Sequence, residues 1–222
     1  MMEKIVAVAA DFWIILPSII LFQRRAYLQS PLNKIIAIYV LLFLIRNILS
    51  YITMELNIYN MYIYNWANIF SGITISMLYY HLFTNKYFKI IALVGMIAAV
   101  GASFLDYETL FNVNTTNFNR FFYNILGGLV IACILFYFYE LLQNLNVPKL
   151  TEFTPFWFST GALLYYSGTV FSYLYVNYTF NNSDLGIVRS YWMIDAFLFI
   201  VFSSFLSMAV WYMKPRDLKS DF

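Results

Sequence analysis

Residues 34–54 read KIIAIYVLLFLIRNILSYITM. Lys34 opens the run, Arg46 and Asn47 lie deep within it, and most of the rest is aliphatic or aromatic. About 20 such residues, rising 1.5 Å each, make a helix long enough to cross the ~30 Å hydrocarbon layer of a bilayer. Composition points the same way: 62% of the 222 residues are hydrophobic and 11% are charged, against about 25% charged in soluble domains. So few charges cannot cover a water-facing surface, and lipid must solvate most of the side chains.

Six further segments of similar character flank this one, at about 5–22, 61–83, 88–105, 121–143, 155–177 and 190–213. The breaks between them are short and polar, such as Gln23-Arg24-Arg25, Thr84-Asn85-Lys86 and the Asn-rich 112–119 stretch. The sequence therefore predicts an all-α polytopic membrane protein, a bundle of seven transmembrane helices in which residues 1–222 form one domain. No break is long enough for a soluble domain, and neither an internal repeat nor a low-complexity linker is visible. Asp11 interrupts the first apolar run and no small-x-small cleavage site follows it, so a retained helix is expected there rather than a signal peptide.

Basic residues set the expected orientation. Arg24, Arg25, Lys34, Lys86, Lys89, Lys149, Lys214, Arg216 and Lys219 fall on one side, whereas only Lys4, Arg120 and Arg189 fall on the other. The positive-inside rule then places the N-terminus outside and the C-terminus in the cytoplasm of a plasma membrane. Aromatics near segment ends, among them Tyr62, Tyr64, Trp66, Trp157, Trp192 and Trp211, read as an interfacial belt.

Several chemistries are excluded by counting. Cys133 and His81 are the only cysteine and histidine, so neither an intrachain disulfide nor a multi-ligand Cys/His metal centre can form. No cofactor and no metal are expected. A net charge of +2 without a basic run argues against a nucleic-acid partner; the lipid bilayer is the partner that composition does imply.

Ionisable groups at membrane depth are costly and mark candidate sites. Asp11 and Asp195 each lie about two turns in from the outer side, Arg46 and Asn47 occupy the outer half of their segment, and Asn65, Asn68 and Asn124 enter at similar depth. These side chains come from five segments and two carboxylates face one guanidinium, which predicts a polar cavity opening outward. Stripes at helical spacing extend it inward: Asn65, Asn68, Gly72 and Ser76; Asp195, Ser203 and Ser207; Arg46, Ser50 and Thr53. A buried ion pair between Arg46 and Asp195 or Asp11, fixing helix register without a ligand, is the competing explanation.

Other features read as structural. Gly95-Ala99-Ser103, Gly128-Ala132 and the pair Gly161 and Gly168 would let helices approach closely, within the bundle or against a second copy in a homo-oligomer. His81, Glu140 and Gln143 near the cytoplasmic side are expected to snorkel to headgroups. The Asn114-Thr115-Thr116 and Asn177-Tyr178-Thr179 sequons carry little weight.

The stretch FWFSTGALLYYSGTVF at 156–171 resembles the sixth helix of small bacterial seven-helix membrane proteins related to the sensor modules of histidine kinases. The likeness continues through Tyr191-Trp192-Met193-Ile194-Asp195, where that family's pattern is Trp-x-Ile-His and Asp195 stands in the histidine's place, and more loosely through 51–80. It implies a bacterial inner-membrane protein with a sensory role and a cytoplasmic signalling protein as partner. The 190–213 segment has no lysine for a retinal Schiff base, and no Pro-Gln pair marks a PQ-loop transporter.

The leading expectation is thus a receptor-like module with an outward-facing polar cavity. The alternatives are an intramembrane lipid hydrolase of lysoplasmalogenase type, with Asp11 and Asp195 as acid and base, and a small-solute or proton-coupled transporter. No catalytic residue is assigned.

Overall fold

The computed structural model describes residues 9–10, 12–115, 117–144, 149–179 and 185–214, and the side chains of these except 120, 144, 171–179 and 185–192. Seven helices carry the fold: α1 (Ile15–Gln23), α2 (Pro31–Glu55), α3 (Met61–Leu82), α4 (Lys86–Ser103), α5 (Arg120–Asn144), α6 (Thr154–Thr179) and α7 (Leu185–Trp211). An eighth, a single turn at Glu108–Phe111, sits in the α4–α5 connection. There is no strand among the described residues.

Local chemistry sets the helix ends. Pro31 opens α2 after an extended Ser30, a position where its missing N–H costs nothing. The Asn85 side chain caps α4 by accepting the Tyr87 N–H at 2.9 Å. Beyond α2, Asn57 takes the left-handed conformation with φ 53° that stops a helix.

α2 shows how the sequence divides between its surroundings. Ile38, Leu41, Ile45, Ile48, Leu49 and Ile52 point outward, while Tyr39, Phe43, Arg46, Asn47 and Ser50 are buried. The face turned out is the apolar one and the polar groups turn in, the reverse of a helix on a water-soluble protein.

Consecutive helices pack side by side, and α7 returns to lie on α1 and to touch α2, closing the ring; α3 also touches α5. The α6–α7 pair is the most intimate, because a Cβ added at Gly161 would meet Phe205 and one at Gly168 would meet Leu198. Gly95 similarly lets Leu129 of α5 in against α4. On α5 the expected close approach at Gly128 is displaced by one residue: Gly128 faces open space and its neighbour Gly127 meets Val170 of α6. Inside the ring, aromatic side chains interlock, with Phe43 stacked on Phe199 at 5.5 Å, Tyr165 on Phe202 at 5.3 Å, and Tyr39 edge-on to Phe158 at 5.3 Å.

The fold is all-helical, and among the described residues four stretches are long and apolar enough to cross a membrane: Pro31–Glu55, Lys86–Asp106, Phe121–Gln143 and Met193–Trp211. The expectation of seven spans is met only in part. α3 and α6 have the length, at 22 and 26 residues, but Asn65, Asn68, Ser71, Thr74 and Ser76 on one, and Ser159, Ser167, Thr169 and two tyrosines on the other, pull their mean hydropathy down. α1 has nine residues, and residues 5–8 and 11 of the expected first span lie outside the described residues.

Candidate functional site

Arg46 is the one charged side chain buried midway along α2, with 7% of its surface exposed. Phe43 lies one turn before it on the same face. The guanidinium carbon stands 4.5 Å from the Phe43 ring centroid, 4.9 Å from Tyr64 of α3 and 5.0 Å from Phe199 of α7. Three rings from three helices therefore hold one cation, an arrangement worth roughly 2 kcal/mol per ring where water is excluded. Its Nε donates to Asn47 Oδ1 at 2.9 Å, which leaves most of a guanidinium's five N–H donors without a hydrogen-bonded acceptor among the described residues. Asp195, half-buried, lies one turn before Phe199 on α7 and so on the helix face that meets the cation.

A hydroxyl network fixes the cage. Ser50, one turn beyond Arg46, shares a hydrogen bond of 3.1 Å with the Tyr64 hydroxyl and accepts another from Asn60 Nδ2 at 2.8 Å. The turn between α2 and α3 is thereby tied to the ring that faces the cation.

The other residues expected to line a cavity are distributed differently. Asn65 is 1% exposed and donates to the carbonyls of Thr109 and Asn117 at 2.8 and 3.1 Å, while its Oδ1 accepts the Asn119 N–H at 3.1 Å. Asn65 is thus a clasp for the 104–119 connection, and Trp66 assists by donating to the Leu110 carbonyl at 3.0 Å. Asn119 completes the clasp, donating to the Ser103 carbonyl at 2.7 Å and capping α5 through the Phe122 N–H. Asn68 donates to the Tyr123 hydroxyl, so it reaches the Arg46 group through that tyrosine. Asn124 Oδ1 is buried without a partner among the described residues, on the α5 face that Gly127 shares. Asp11 lies outside the described residues.

Arg46, Asn47 and Asp195 therefore form the centre, with Asn68–Tyr123 at its edge. The expected stripe along α3 is largely packing surface, since Gly72 is pressed against Leu126 and Met96. The described side chains around the cation are aromatic: Phe43, Tyr64 and Phe199. Phe43, Tyr64, Phe199, Tyr123 and Tyr165 do not stand out in the sequence as site residues; only Phe43, three residues before Arg46, carried a spacing signal.

At the opposite end of the bundle Glu140 departs from the snorkelling expectation. It is 9% exposed, and its two oxygens accept the backbone N–H groups of Thr84 and Asn85 at 3.0 and 2.8 Å. A carboxylate from α5 thus satisfies donors at the start of α4, where a helix dipole favours negative charge. Nearby, Asn33 ties the α1–α2 turn to the end of α7, donating to the carbonyls of Tyr27 and Lys214 at 2.8 and 2.9 Å.

Among the described residues no cluster of three or more His, Cys, Asp or Glu side chains could hold a metal ion. Fold and site together define an all-helical membrane protein with an arginine caged in its interior. No family model, curated protein or solved structure matches the chain.

Proposed function

We propose that the chain is a receptor-like membrane module in which the Arg46 group receives a small polar ligand and the helices pass the change to a separate cytoplasmic signalling protein. The observation that carries this reading is the guanidinium itself: buried, caged by three rings, and hydrogen-bonded among the described residues only to its neighbour Asn47. A guanidinium needed only for register gains most from a bidentate carboxylate partner. One held on ring faces keeps its remaining donors for another acceptor. The likeness of 156–171 and 191–195 to bacterial sensor modules favours the same reading, as does the convergence of α2, α3 and α7 on the cation.

In this proposal α2 to α7 each cross the membrane, and α1 is the inner end of a first span over about residues 5–22. α3 and α6 place their polar groups in the interior, where lipid does not meet them, so a low mean hydropathy does not bar them from spanning. Arg24, Arg25, Lys34, Lys86, Lys89, Lys149 and Lys214 gather at the end where the starts of α2, α4 and α6 meet the ends of α3, α5 and α7. By the positive-inside rule that end is cytoplasmic.

The test is a thermal-shift screen of the purified protein in lipid nanodiscs against small carboxylates, phosphates and zwitterions. A compound that raises the melting temperature of the wild type and not of Arg46→Met supports the reading. A screen without hits, or hits that persist in Arg46→Met, counts against it.

A further inference from the structure

Below the Arg46 group the bundle interior is lined with hydroxyls. Tyr39 of α2 and Tyr166 of α6 share a hydrogen bond of 3.3 Å, and Tyr79 of α3 and Ser159 of α6 share one of 3.0 Å. The Tyr79 and Tyr137 ring centroids are 6.1 Å apart. Above this group, Tyr165 packs edge-on to Tyr166 at 5.3 Å and lies 6.1 Å from Phe199, one of the rings on Arg46.

Depth along the helices orders these groups into a file. Asp195 lies 16 residues before the end of α7 and Glu140 four residues before the end of α5, or about 24 and about 6 Å from that end of the bundle at 1.5 Å per residue. Tyr165, Tyr166, Tyr39, Tyr137, Ser76 and Ser159 fall between them. Tyr137 is one turn from Glu140 on the same face.

Ser76 Oγ and Tyr137 OH are each more than nine-tenths buried and have no hydrogen-bond partner among the described residues. In a membrane interior an unsatisfied hydroxyl is costly, and ordered water is its usual remedy. Arg46 stands at the outer entrance on the Phe199 ring, and Asp195 lies one turn before Phe199 on the same face of α7. The entrance therefore holds a carboxyl group beside its cation.

We infer that waters join these hydroxyls into a file that conducts protons between the Asp195 level and the Glu140 end. Each oxygen accepts one proton as it releases another to the next, so every hydroxyl and water keeps its O–H count. The proton enters from bulk water at one end and returns to bulk water at the other, and no oxidant or reductant takes part. The inference does not depend on the Arg46 group receiving a ligand.

The full chain reconstituted in liposomes with an entrapped pH dye, under a potassium diffusion potential of either sign, tests it. Proton entry should run several-fold faster than in protein-free liposomes of the same lipid. Tyr137→Phe and Ser76→Ala, each checked for unchanged helix content and melting temperature, should lose most of that excess. Wild-type liposomes no leakier than lipid alone at either sign of potential overturn the inference. So does an excess flux that survives in both folded variants.

Discussion

Arg46 of α2 lies 4.9 Å from the ring centroid of Tyr64 on α3, and the hydroxyl of that same ring is hydrogen-bonded at 3.1 Å to Ser50, one turn beyond Arg46 on α2. One tyrosine thus uses its face for the cation and its edge for the helix that carries the cation. The two contributions separate by substitution. Tyr64→Phe keeps the ring and gives up one hydrogen bond, a loss of about 1 kcal/mol. Tyr64→Leu also removes the cation–π contact, for roughly 2 kcal/mol more. Thermal melts of both variants in detergent check this, and equal losses would mean that the ring face contributes nothing.

The clasp at Asn65 makes a prediction about the 104–119 connection. Asn65→Leu strands the carbonyls of Thr109 and Asn117 and the N–H of Asn119, at roughly 1–3 kcal/mol for each group left unsatisfied and out of reach of water. Amide hydrogen exchange across 104–119 should accelerate well beyond that in α6 and α7. Uniform acceleration over the whole chain would instead mean global destabilisation.

Glu140 should behave as a structural acceptor. Glu140→Ala removes both acceptors from the Thr84 and Asn85 amides, and hydrogen bonds to a charged group are worth about 1.5–3 kcal/mol. Glu140→Gln retains one carbonyl oxygen and should recover part of the loss. The melting temperatures should therefore fall in the order wild type, Gln, Ala. A Gln variant no better than Ala would contradict the capping role.

The Glu152 carboxylate is bridged at 3.2 Å to both Lys149 and Lys214. Hydrogen bonds from Lys214 and then Lys149 hold its pKa below the ordinary 4.5. Because the folded-state value is depressed, the stabilisation is present above the unfolded value and is lost as pH falls through the folded one. Below pH 4.5 the difference in melting temperature between wild type and Glu152→Gln should shrink. The site is exposed, so the effect is small and added salt should erase it. A difference that is constant with pH would show the ion pairs to be silent.

Much of the fold is legible in the sequence because lipid demands continuous apolar runs, and residues 34–54 and 88–105 supply them plainly. α3 and α6 are harder to classify, because a hydropathy average cannot tell a serine turned inward from one turned to lipid. The site is legible in its ionisable members, since Arg46 and Asp195 stand out in apolar surroundings. Its walls are not, because Tyr64 and Phe199 are two of many aromatics and only tertiary packing brings them to the cation. Asn65 has the same chemistry as Asn68 in the sequence, and only the folded 104–119 connection shows that it is a clasp.

Whether Arg46 serves a site or only a staple is decided most directly by thermal melts of wild type, Asp195→Asn and Arg46→Met in one detergent. With its cation held by three rings and by Asn47, the bundle should absorb the neutralisation of Asp195 with a loss of about 1 kcal/mol or less, whereas Arg46→Met, which gives up the three ring contacts, should lose clearly more. Large and equal losses in both variants, on the order of the 3–5 kcal/mol that breaking a buried ion pair costs, would make the arginine a register staple and contradict the ligand site.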